Sequence, residues 1–433
     1  MKIKAKRVYK KATKNSYSCV MPGVWRAVTY CQGVAVIFHG PRACTHLART
    51  MDIGAHYRSL ARNYLEPYKD TVPLVSTMLT QQEAVFGGEE KLKACLSYVM
   101  QTYSPHCVVI ANSCVTGVIG DDITSIAEQA KIDYKIPILA ISHAGFLDGE
   151  FFDGFLATAK QLVENFMFKK SVEENSVVLL GDAGGPNGGY AKELAILLKY
   201  FDLHIKAHFP TYTKLENLQQ IPASSLNIVL GWQKNGEQNI EKLAEFLNAK
   251  FGTPYYADIY PFGWDNTVKW LQGLGKLLKK EQAAQLAIAE QRERRTKLFE
   301  KAQAITKDKC AVLCLGMWAS YYQPFWIMQL IKLLAFDFTV IIFLDGYPQE
   351  DKAGIRQAVE NFPHVKFYSE QEGASIIEQS DIIFTTQELN MPDIKQLYLS
   401  MQPAAGVQGE VELIANITRL LYRRGNRRGI VYA

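Results

Sequence analysis

The feature that most constrains the fold is a repeated alternation of short apolar runs with helical stretches. The runs are rich in β-branched residues and end at Gly, Asp or Asn turns, and they lie at Val34–Phe38, Val108–Ala111, Ile138–Ile141, Val177–Leu180, Ile228–Leu230, Ala311–Leu315, Thr339–Leu344 and Asp381–Phe384. The helical patterns between them include Lys91–Tyr103, Ile123–Ala130, Tyr190–Tyr200, Gln238–Lys250 and Ala374–Gln379. Continuous apolar strands that alternate with helices are typical of parallel sheets covered on both faces. The sequence therefore predicts an α/β fold built from Rossmann-like units.

Length and two polar segments divide the chain into three expected domains. A chain of 433 residues is expected to form about three domains, at roughly 150 residues each. A polar break at 169–175 ends the first domain, and a long polar helix over Glu281–Thr306 leads into the last. We therefore expect Rossmann-like domains at 1–170, 171–290 and 291–433, with the polar helix as a connector.

Composition and charge exclude several classes of protein. The chain is 48% hydrophobic and 21% charged, which is typical of a globular protein. Its net charge of +5 is mild, and the Lys and Arg excess near both ends is interpreted as solvated termini instead of a nucleic-acid surface. No apolar run reaches the roughly 18 residues of a membrane span, and no secretory signal follows the basic start. We expect a cytoplasmic protein that binds neither nucleic acid nor membrane.

Three of the eight cysteines stand beside irregular turns next to apolar runs. Cys19 precedes a Met-Pro-Gly turn, Cys44 follows a Gly-Pro turn, and Cys114 follows Asn-Ser. Turns at the carboxyl ends of parallel strands converge on one crevice, and three thiolates there would suit an iron–sulfur cluster. The spacing is that of neither a zinc ribbon nor a ferredoxin. On these residues alone, buried free cysteines that act as small hydrophobes remain the alternative.

The other five cysteines fit that alternative better. Cys95 lies in a helical pattern, Cys107 begins a predicted strand, and Cys310 and Cys314 lie in or next to another. Cys31 is ambiguous, because it stands in the segment between Cys19 and the first strand.

The residues around the three cysteines resemble the nitrogenase component 1 family. This family includes the molybdenum–iron protein subunits, their cofactor-assembly homologues, and the reductases of chlorophyll and nickel-tetrapyrrole synthesis. The matching stretches are Cys19, HGPRAC (His39–Cys44), VFGGEEKL (Val85–Leu92) and NSCVTGVIGDDI (Asn112–Ile123). The resemblance is strong over 19–165 and weakens towards the carboxyl end.

The resemblance implies three Rossmann-like domains and an iron–sulfur cluster held by Cys19, Cys44 and Cys114 at a subunit interface. Three ligands leave a 4Fe–4S cluster one ligand short, so a carboxylate, a solvent molecule or a residue of a second chain would complete it. In the family, six cysteines of two subunits can instead hold a larger fused cluster. We expect a dimer with an identical chain or with a second component 1-like subunit.

The resemblance also implies an electron donor, a separate iron protein that is a P-loop ATPase. This chain has no P-loop motif of its own. The cofactor-binding Cys of dinitrogen-reducing subunits is replaced here by Gly231, and no histidine follows His364, where the second cofactor ligand would be expected. The expected function is the iron–sulfur subunit of a nitrogenase-like two-component reductase, for a substrate that is not dinitrogen by itself. The alternative is a scaffold for nitrogenase-type metallocofactor assembly.

Two local expectations concern polar residues near the cysteines. Asp121 or Asp122 is expected to cap the helix that starts at Ile123, where a carboxylate is favourable. His39, His46 and His143 are expected to be hydrogen-bonded core histidines and not metal ligands. Two further expectations are a pocket-lining glycine-rich loop at 181–189 and a packed aromatic cluster formed by Trp318, Tyr321, Tyr322, Phe325 and Trp326.

Overall fold

The structure is a computed structural model, and all statements below concern the residues that it describes. These are residues 19–50, 71–181, 188–230, 240–257, 260–320, 325–360, 362, 364–391, 393–399, 405–423 and 430–432.

The first sheet has four parallel strands in the order β2-β1-β3-β4. The strands are β1 (Val34–His39), β2 (Leu74–Ser76), β3 (Cys107–Asn112) and β4 (Ile138–Ala144). The helices around it are α1 (Val20–Val28), α2 (helical over 42–50), α3 (Gln81–Phe86), α4 (Glu89–Tyr103), α5 (Cys114–Ile119), α6 (Ile123–Tyr134) and α7 (Phe151–Phe166). Every residue of β1 and β3 is buried, because helices cover both faces of a parallel sheet.

The second sheet also has four parallel strands, in the order β6-β5-β7-β8. They are β5 (Glu173–Leu180), β6 (His204–Phe209), β7 (Ser224–Val229) and β8 (Tyr255–Tyr256). The helices are α8 (Gly189–Lys199), a 3-10 segment (Leu215–Ala223), α9 (Glu241–Phe251), α10 (Gly263–Leu278) and α11 (Glu281–Thr306). One hydrophobic core joins the first two sheets, since Val36 and Phe155 belong to the same buried cluster as Val178 and Leu243.

The third sheet has six parallel strands in the order β11-β10-β9-β12-β13-β14. They are β9 (Cys310–Leu315), β10 (Asp337–Phe343), β11 (Lys366–Ser369), β12 (Ile382–Thr385), β13 (Gln396–Tyr398) and β14 (Ile430–Tyr432). The helices are α12 (Phe325–Leu333), α13 (Lys352–Ala358), α14 (Glu370–Gln379) and α15 (Gly406–Tyr422), with 3-10 turns at Met317–Ser320 and Gln349–Asp351. A separate core of buried side chains lies on this sheet and includes Leu313, Ile341 and Leu413.

The predicted α/β class with parallel sheets is confirmed, because every strand pair among the described residues is parallel. All eight predicted strands are present, with ends that differ by up to four residues. The connector helix has the predicted ends. One sheet falls in each predicted domain, although the border at 290 lies inside α11; the domain borders themselves stay a prediction.

Six strands are absent from the prediction, namely β2, β6, β8, β11, β13 and β14. Most are very short and lie at sheet edges. A run of two to four residues is too short to show the hydrophobic pattern from which a strand is predicted. β6 is different, because its residues alternate between polar and apolar in the manner of a half-exposed strand. None of the described helices combines the length and apolarity that a bilayer crossing requires.

Candidate functional site

The three predicted cysteines each lie at the amino-terminal end of a helix. Cys19 is the N-cap residue of α1, with an extended backbone at φ −104° and ψ 147°. Cys44 lies in the first turn of α2, and Cys114 is the first residue of α5. The first-turn N–H groups of a helix have no intrahelical partners and carry a partial positive charge. A negatively charged group is stabilised at such positions.

The turn that carries Cys44 packs against the residue before Cys114. β1 and β3 are hydrogen-bonded neighbours, so their carboxyl ends lie side by side. The Ser113 N–H donates to the His39 carbonyl at 3.1 Å. A Cβ atom on Gly40 would lie 2.5 Å from the Ser113 Cβ. Only glycine at position 40 therefore allows the two cysteine-bearing turns to approach this closely.

The segment after β4 joins Cys114 to the start of α1. The Phe146 N–H donates to the Cys114 Sγ at 3.0 Å, and the Val20 N–H donates to the Gly145 carbonyl at 3.4 Å. Gly145 has a φ of 54°, and a Cβ there would lie 2.3 Å from the Cys114 Sγ. A glycine thus supplies both the left-handed backbone and the space for the sulfur. Cys19, next to Val20, is brought to the same crevice.

The pKa shifts of Cys19 and Cys44 each include an influence of the Cys114 thiol. Burial raises the pKa of the Cys19 thiol to about 12, against a lowering hydrogen bond from the Met21 backbone, and the nearby Cys114 and Cys44 raise it further. Burial also raises the pKa of Cys44, and Cys114 adds to that increase. Three thiolates would therefore repel one another in a partly buried crevice. A cationic metal group would relieve that repulsion and deprotonate all three.

The geometry of the donor atoms is that of neither a zinc site nor any other single-ion site in the described part of the chain. Among the described residues, no three Cys, His, Asp or Glu side chains converge on a position for one metal ion. In an iron–sulfur cluster the thiolates bind different irons, so the sulfurs surround a shared space instead of one centre. The three thiols lie at helix starts, and one of them, Cys114, accepts a backbone N–H bond from Phe146.

Four of the five remaining cysteines lie in packed cores. Cys31, Cys107 and Cys314 are fully buried, and burial raises the pKa of Cys31 to about 12. Cys95 is also buried, with its pKa raised by burial to about 11. Cys310 is partly exposed at the start of β9. Their interpretation as small hydrophobes fits the structure, and the ambiguous Cys31 belongs to this group.

A buried His–Asp pair joins the three sequence motifs and is absent from the prediction. The His39 Nε2 lies 2.9 Å from the Asp121 Oδ2, and the His39 Nδ1 lies 3.1 Å from the Thr77 Oγ1. The Gly88 N–H donates to both Asp121 carboxylate oxygens, at 3.1 and 3.0 Å. Burial lowers the pKa of His39, against the raising influence of Asp121. The pair fixes the strand end that leads to Cys44.

The helix cap is Asp122 and not Asp121. Its Oδ1 accepts the Ser125 N–H at 3.1 Å, so the expectation that one of these two aspartates caps the helix is confirmed. Of the three histidines, His39 is a hydrogen-bonded core residue as predicted, whereas the prediction is wrong for His46, which is exposed on α2. His143 is half-buried, with its Nδ1 3.2 Å from the Asp148 carbonyl.

Large apolar side chains are exposed around the three cysteines. We call this set the carboxyl-edge apolar surface, because each member follows the carboxyl end of a strand of the first sheet; it consists of Leu47, Met78, Val85, Phe86, Val118 and Phe146. Phe86 is 83% exposed and Val118 is 72% exposed, and their helices α3 and α5 contact each other. Exposed apolar patches of this kind mark interaction sites.

Some predicted features fall mainly outside the described residues. Most of the glycine-rich loop (182–187), Gly231, and Tyr321 and Tyr322 of the aromatic cluster belong to these parts. Of that cluster, Trp326 is described and packs against the core of the third sheet and against Gly263.

Fold and site together define an α/β protein of three parallel sheets whose first sheet presents three thiols in one crevice. The family model for nitrogenase component 1 type oxidoreductases matches residues 19–330. The chain belongs to this family, and the resemblance of its motifs is thereby confirmed.

Individual relatives are distant. The chain is 27% identical over 276 residues to the nitrogenase iron-molybdenum cofactor biosynthesis protein NifE of Clostridium pasteurianum, covering 60% of this chain and 56% of that protein. It is 26% identical over 203 residues to the nitrogenase molybdenum-iron protein alpha chain of the same organism, covering 46% and 36%. It is 22% identical over 274 residues to a subunit of the light-independent protochlorophyllide reductase of Gloeothece citriformis, covering 60% and 50%.

The chain thus spans about half the length or less of these relatives. The structural similarity covers more of the chain than these sequence matches do. A solved structure of nitrogenase Cp1 at pH 5 superposes with a TM-score of 0.66 at 19% identity, covering 96% of this chain and 90% of that one. At this identity the likeness confirms the fold.

Proposed function

We propose that this chain is the iron–sulfur subunit of a nitrogenase-like two-component reductase. Cys19, Cys44 and Cys114 would hold either a 4Fe–4S cluster or their half of a larger fused cluster. The observation that supports the proposal is that three thiols, each at the start of a helix, are linked through the turns after β1, β3 and β4 and influence one another electrostatically. An iron–sulfur cluster bound there would accept and pass on single electrons.

The chain's own groups would stabilise the negative charge of such a site. The amino ends of α1, α2 and α5 direct partial positive charge towards the sulfurs. The Phe146 N–H bonded to the Cys114 Sγ supplies one of the hydrogen bonds that tune a cluster's potential. The partial burial of Cys19 and Cys44 limits water access, which also affects the potential.

The carboxyl-edge apolar surface would be the contact with a second component 1-type subunit, identical or different. Three cysteines are one ligand short of a complete set for a 4Fe–4S cluster, and a partner that covers Phe86 and Val118 would bury the cluster and can supply what is missing. An iron protein with ATPase activity would deliver the electrons, as the family resemblance implies. We assign the protein to the cytoplasm, where thiols stay reduced.

A scaffold for metallocofactor assembly is the second candidate. It is favoured by the similarity to NifE, which is named as a cofactor biosynthesis protein. The cysteine crevice would serve either role, because a cluster held by three thiolates and one exchangeable ligand can both transfer electrons and be handed on.

Electron transfer from an iron protein separates the two candidates. The protein is purified anaerobically, and the spectrum of its cluster is followed after mixing with an iron protein, with and without MgATP. A reductase subunit is expected to become reduced only with both components present, and to keep its iron. Transfer of iron and sulfide to an apo-acceptor without ATP-dependent reduction would identify a scaffold. A protein with no bound iron would contradict both proposals.

A further inference from the structure

A cavity of about 680 Å³ lies between the turn before β1 and the edge strand β6. Its lining includes Tyr30, Gln32, Lys192, Ala207, Tyr212 and Lys214. Tyr30 and Gln32 precede β1, whereas the cysteines Cys44 and Cys114 follow the carboxyl ends of β1 and β3. The six-residue length of β1 puts about 20 Å between these two edges of the sheet. The cavity is therefore separate from the cysteine crevice.

The lining is positively charged. It contains three lysines, Lys192, Lys206 and Lys214, and no Asp or Glu. Lys206 forms an ion pair with Glu173. In the described part of the chain, no carboxylate lies within ion-pair distance of Lys192 or Lys214, both of which are exposed. A concave surface lined by one sign of charge concentrates ligands of the opposite sign.

The lining also offers a rigid aromatic wall and small apolar side chains. Tyr30 and Tyr212 are stacked, with ring centroids 5.1 Å apart and an angle of 15° between their planes. The Arg26 guanidinium donates to the Tyr212 hydroxyl at 2.9 Å and lies 5.6 Å from the Tyr30 ring centroid. These contacts hold the rings in place without a ligand. The small side chains Ala195 and Ala207 also line the cavity, which is already formed.

We propose that this cavity binds an amphipathic organic anion, a planar ring system that carries phosphate, carboxylate or sulfonate groups. Lys192 and Lys214 pair with the anionic group through charge-assisted hydrogen bonds. The ring system lies against the alanines and the tyrosine wall. The volume falls within the roughly 300–1,000 Å³ of small-molecule sites. This binding goes beyond the proposed electron transfer and does not depend on a bound cluster.

Fluorescence titration with anilinonaphthalene sulfonate, an aromatic anion, tests the proposal on the full chain. The uncharged phenylnaphthylamine is the matched neutral probe. The double variant Lys192→Glu/Lys214→Glu is expected to bind the anion at least about tenfold more weakly than the wild type, while its weak binding of the neutral probe stays unchanged. The control Lys199→Glu/Lys242→Glu makes the same change in net charge at exposed lysines outside the cavity and is expected to keep the affinity.

A second variant tests the site by volume instead of charge. Ala195→Trp, which places a large side chain in the cavity, is expected to abolish the same binding phase with all lysines intact. Circular dichroism checks that each variant is folded. Equal anion affinity in the two lysine double variants, or saturable binding that survives Ala195→Trp, would overturn the proposal. Absence of any saturable anion binding to the wild type would do so as well.

Discussion

The first and third sheets are both parallel and both carry cysteines, but the cysteines occupy different positions. In the first, Cys44 and Cys114 lie beyond the strand ends, in the opening turns of α2 and α5. In the third, Cys310 and Cys314 lie within β9. The buried strand residue Cys314 meets only packed neighbours, whereas a residue at a helix start faces free N–H groups and a crevice. We therefore expect the cysteines beyond the strand ends, and not those within β9, to bind a metal group.

The polar pairs of the two regions also have different roles. In the first region, His39 at the end of β1 is bonded to Asp121, which lies between α5 and α6. Near the third sheet, the Arg295 Nε donates to the Glu410 Oε2 at 2.6 Å and so joins α11 to α15. The first pair holds the segments that present the cysteines, and the second holds two helices together.

Removal of the Asp121 carboxylate is expected to have the largest effect on stability. Asp121→Ala leaves the buried His39 Nε2 and Gly88 N–H without their partner, which costs about 3–5 kcal/mol for a buried pair. Urea unfolding measures the change in the free energy of unfolding. The neighbouring Asp122→Ala removes a helix cap and is expected to cost about 1 kcal/mol. If the free energy of unfolding fell no further in Asp121→Ala than in Asp122→Ala, the stabilising role of the buried pair would be contradicted.

The glycine beside the Cys114 sulfur gives the next largest effect. Gly145→Ala places a Cβ against the Sγ and strains a backbone at φ 54°, so we expect a loss of about 1–3 kcal/mol together with most of the bound iron. Gly120→Ala is the matched control, because Gly120 has a φ of 81° but no atom within 4 Å of the added Cβ. It is expected to be strained and yet to keep its iron. Iron loss in both variants would mean that backbone strain alone explains the effect.

The smallest expected effect concerns a carboxyl group on α15. Burial raises the pKa of Glu412 to about 7, so its ionisation at higher pH favours the unfolded state, where its pKa is lower. Glu412→Gln is therefore expected to stabilise the protein by about 1 kcal/mol near pH 8, after allowance for partial solvent exposure. Near pH 4 both folded and unfolded forms of Glu412 are largely protonated, and the gain should vanish.

In the first region, the contribution of His39 to stability changes with pH in the direction opposite to that of Glu412. Burial lowers the pKa of His39, so below about pH 6.5 the unfolded state binds more protons than the folded state. That contribution to stability is lost as the pH falls. Thermal unfolding of the wild type and Glu412→Gln at several pH values measures how the stability of each protein depends on pH. If Glu412→Gln were stabilised by the same amount at about pH 4 and pH 8, the raised pKa of Glu412 would be contradicted.

The sequence alone predicts the strands and helices whose hydrophobic pattern lies within one short segment. β1 and β3 are continuous apolar runs bounded by turns, and their predicted ends are within one residue of the observed ones. The cysteines could be singled out because the motifs around them combine strand end, turn and helix start. The connector α11 is long and polar, so it was predictable from composition alone.

The contacts that assemble the site could not be predicted in the same way. His39 and Asp121 are 82 residues apart, and their meeting depends on the register of β1 with β3 and on the path of α5. Two adjacent aspartates in one turn suit a helix cap equally well, so Asp121 was indistinguishable from Asp122. The exposure of Phe86 and Val118 follows from the tertiary packing of α3 and α5, since apolar residues in a short helix usually face a core.

The most direct test of the central claim is the iron and sulfide content, with the EPR spectrum after reduction, of the anaerobically purified wild type, Cys114→Ala and Cys310→Ala. Cys114→Ala is expected to lose the reduced-cluster signal and most of its iron, because one of the three converging sulfurs is gone. Cys310→Ala is expected to keep both, because that sulfur lies at the start of β9 and away from the crevice. An unchanged signal in Cys114→Ala would contradict the account.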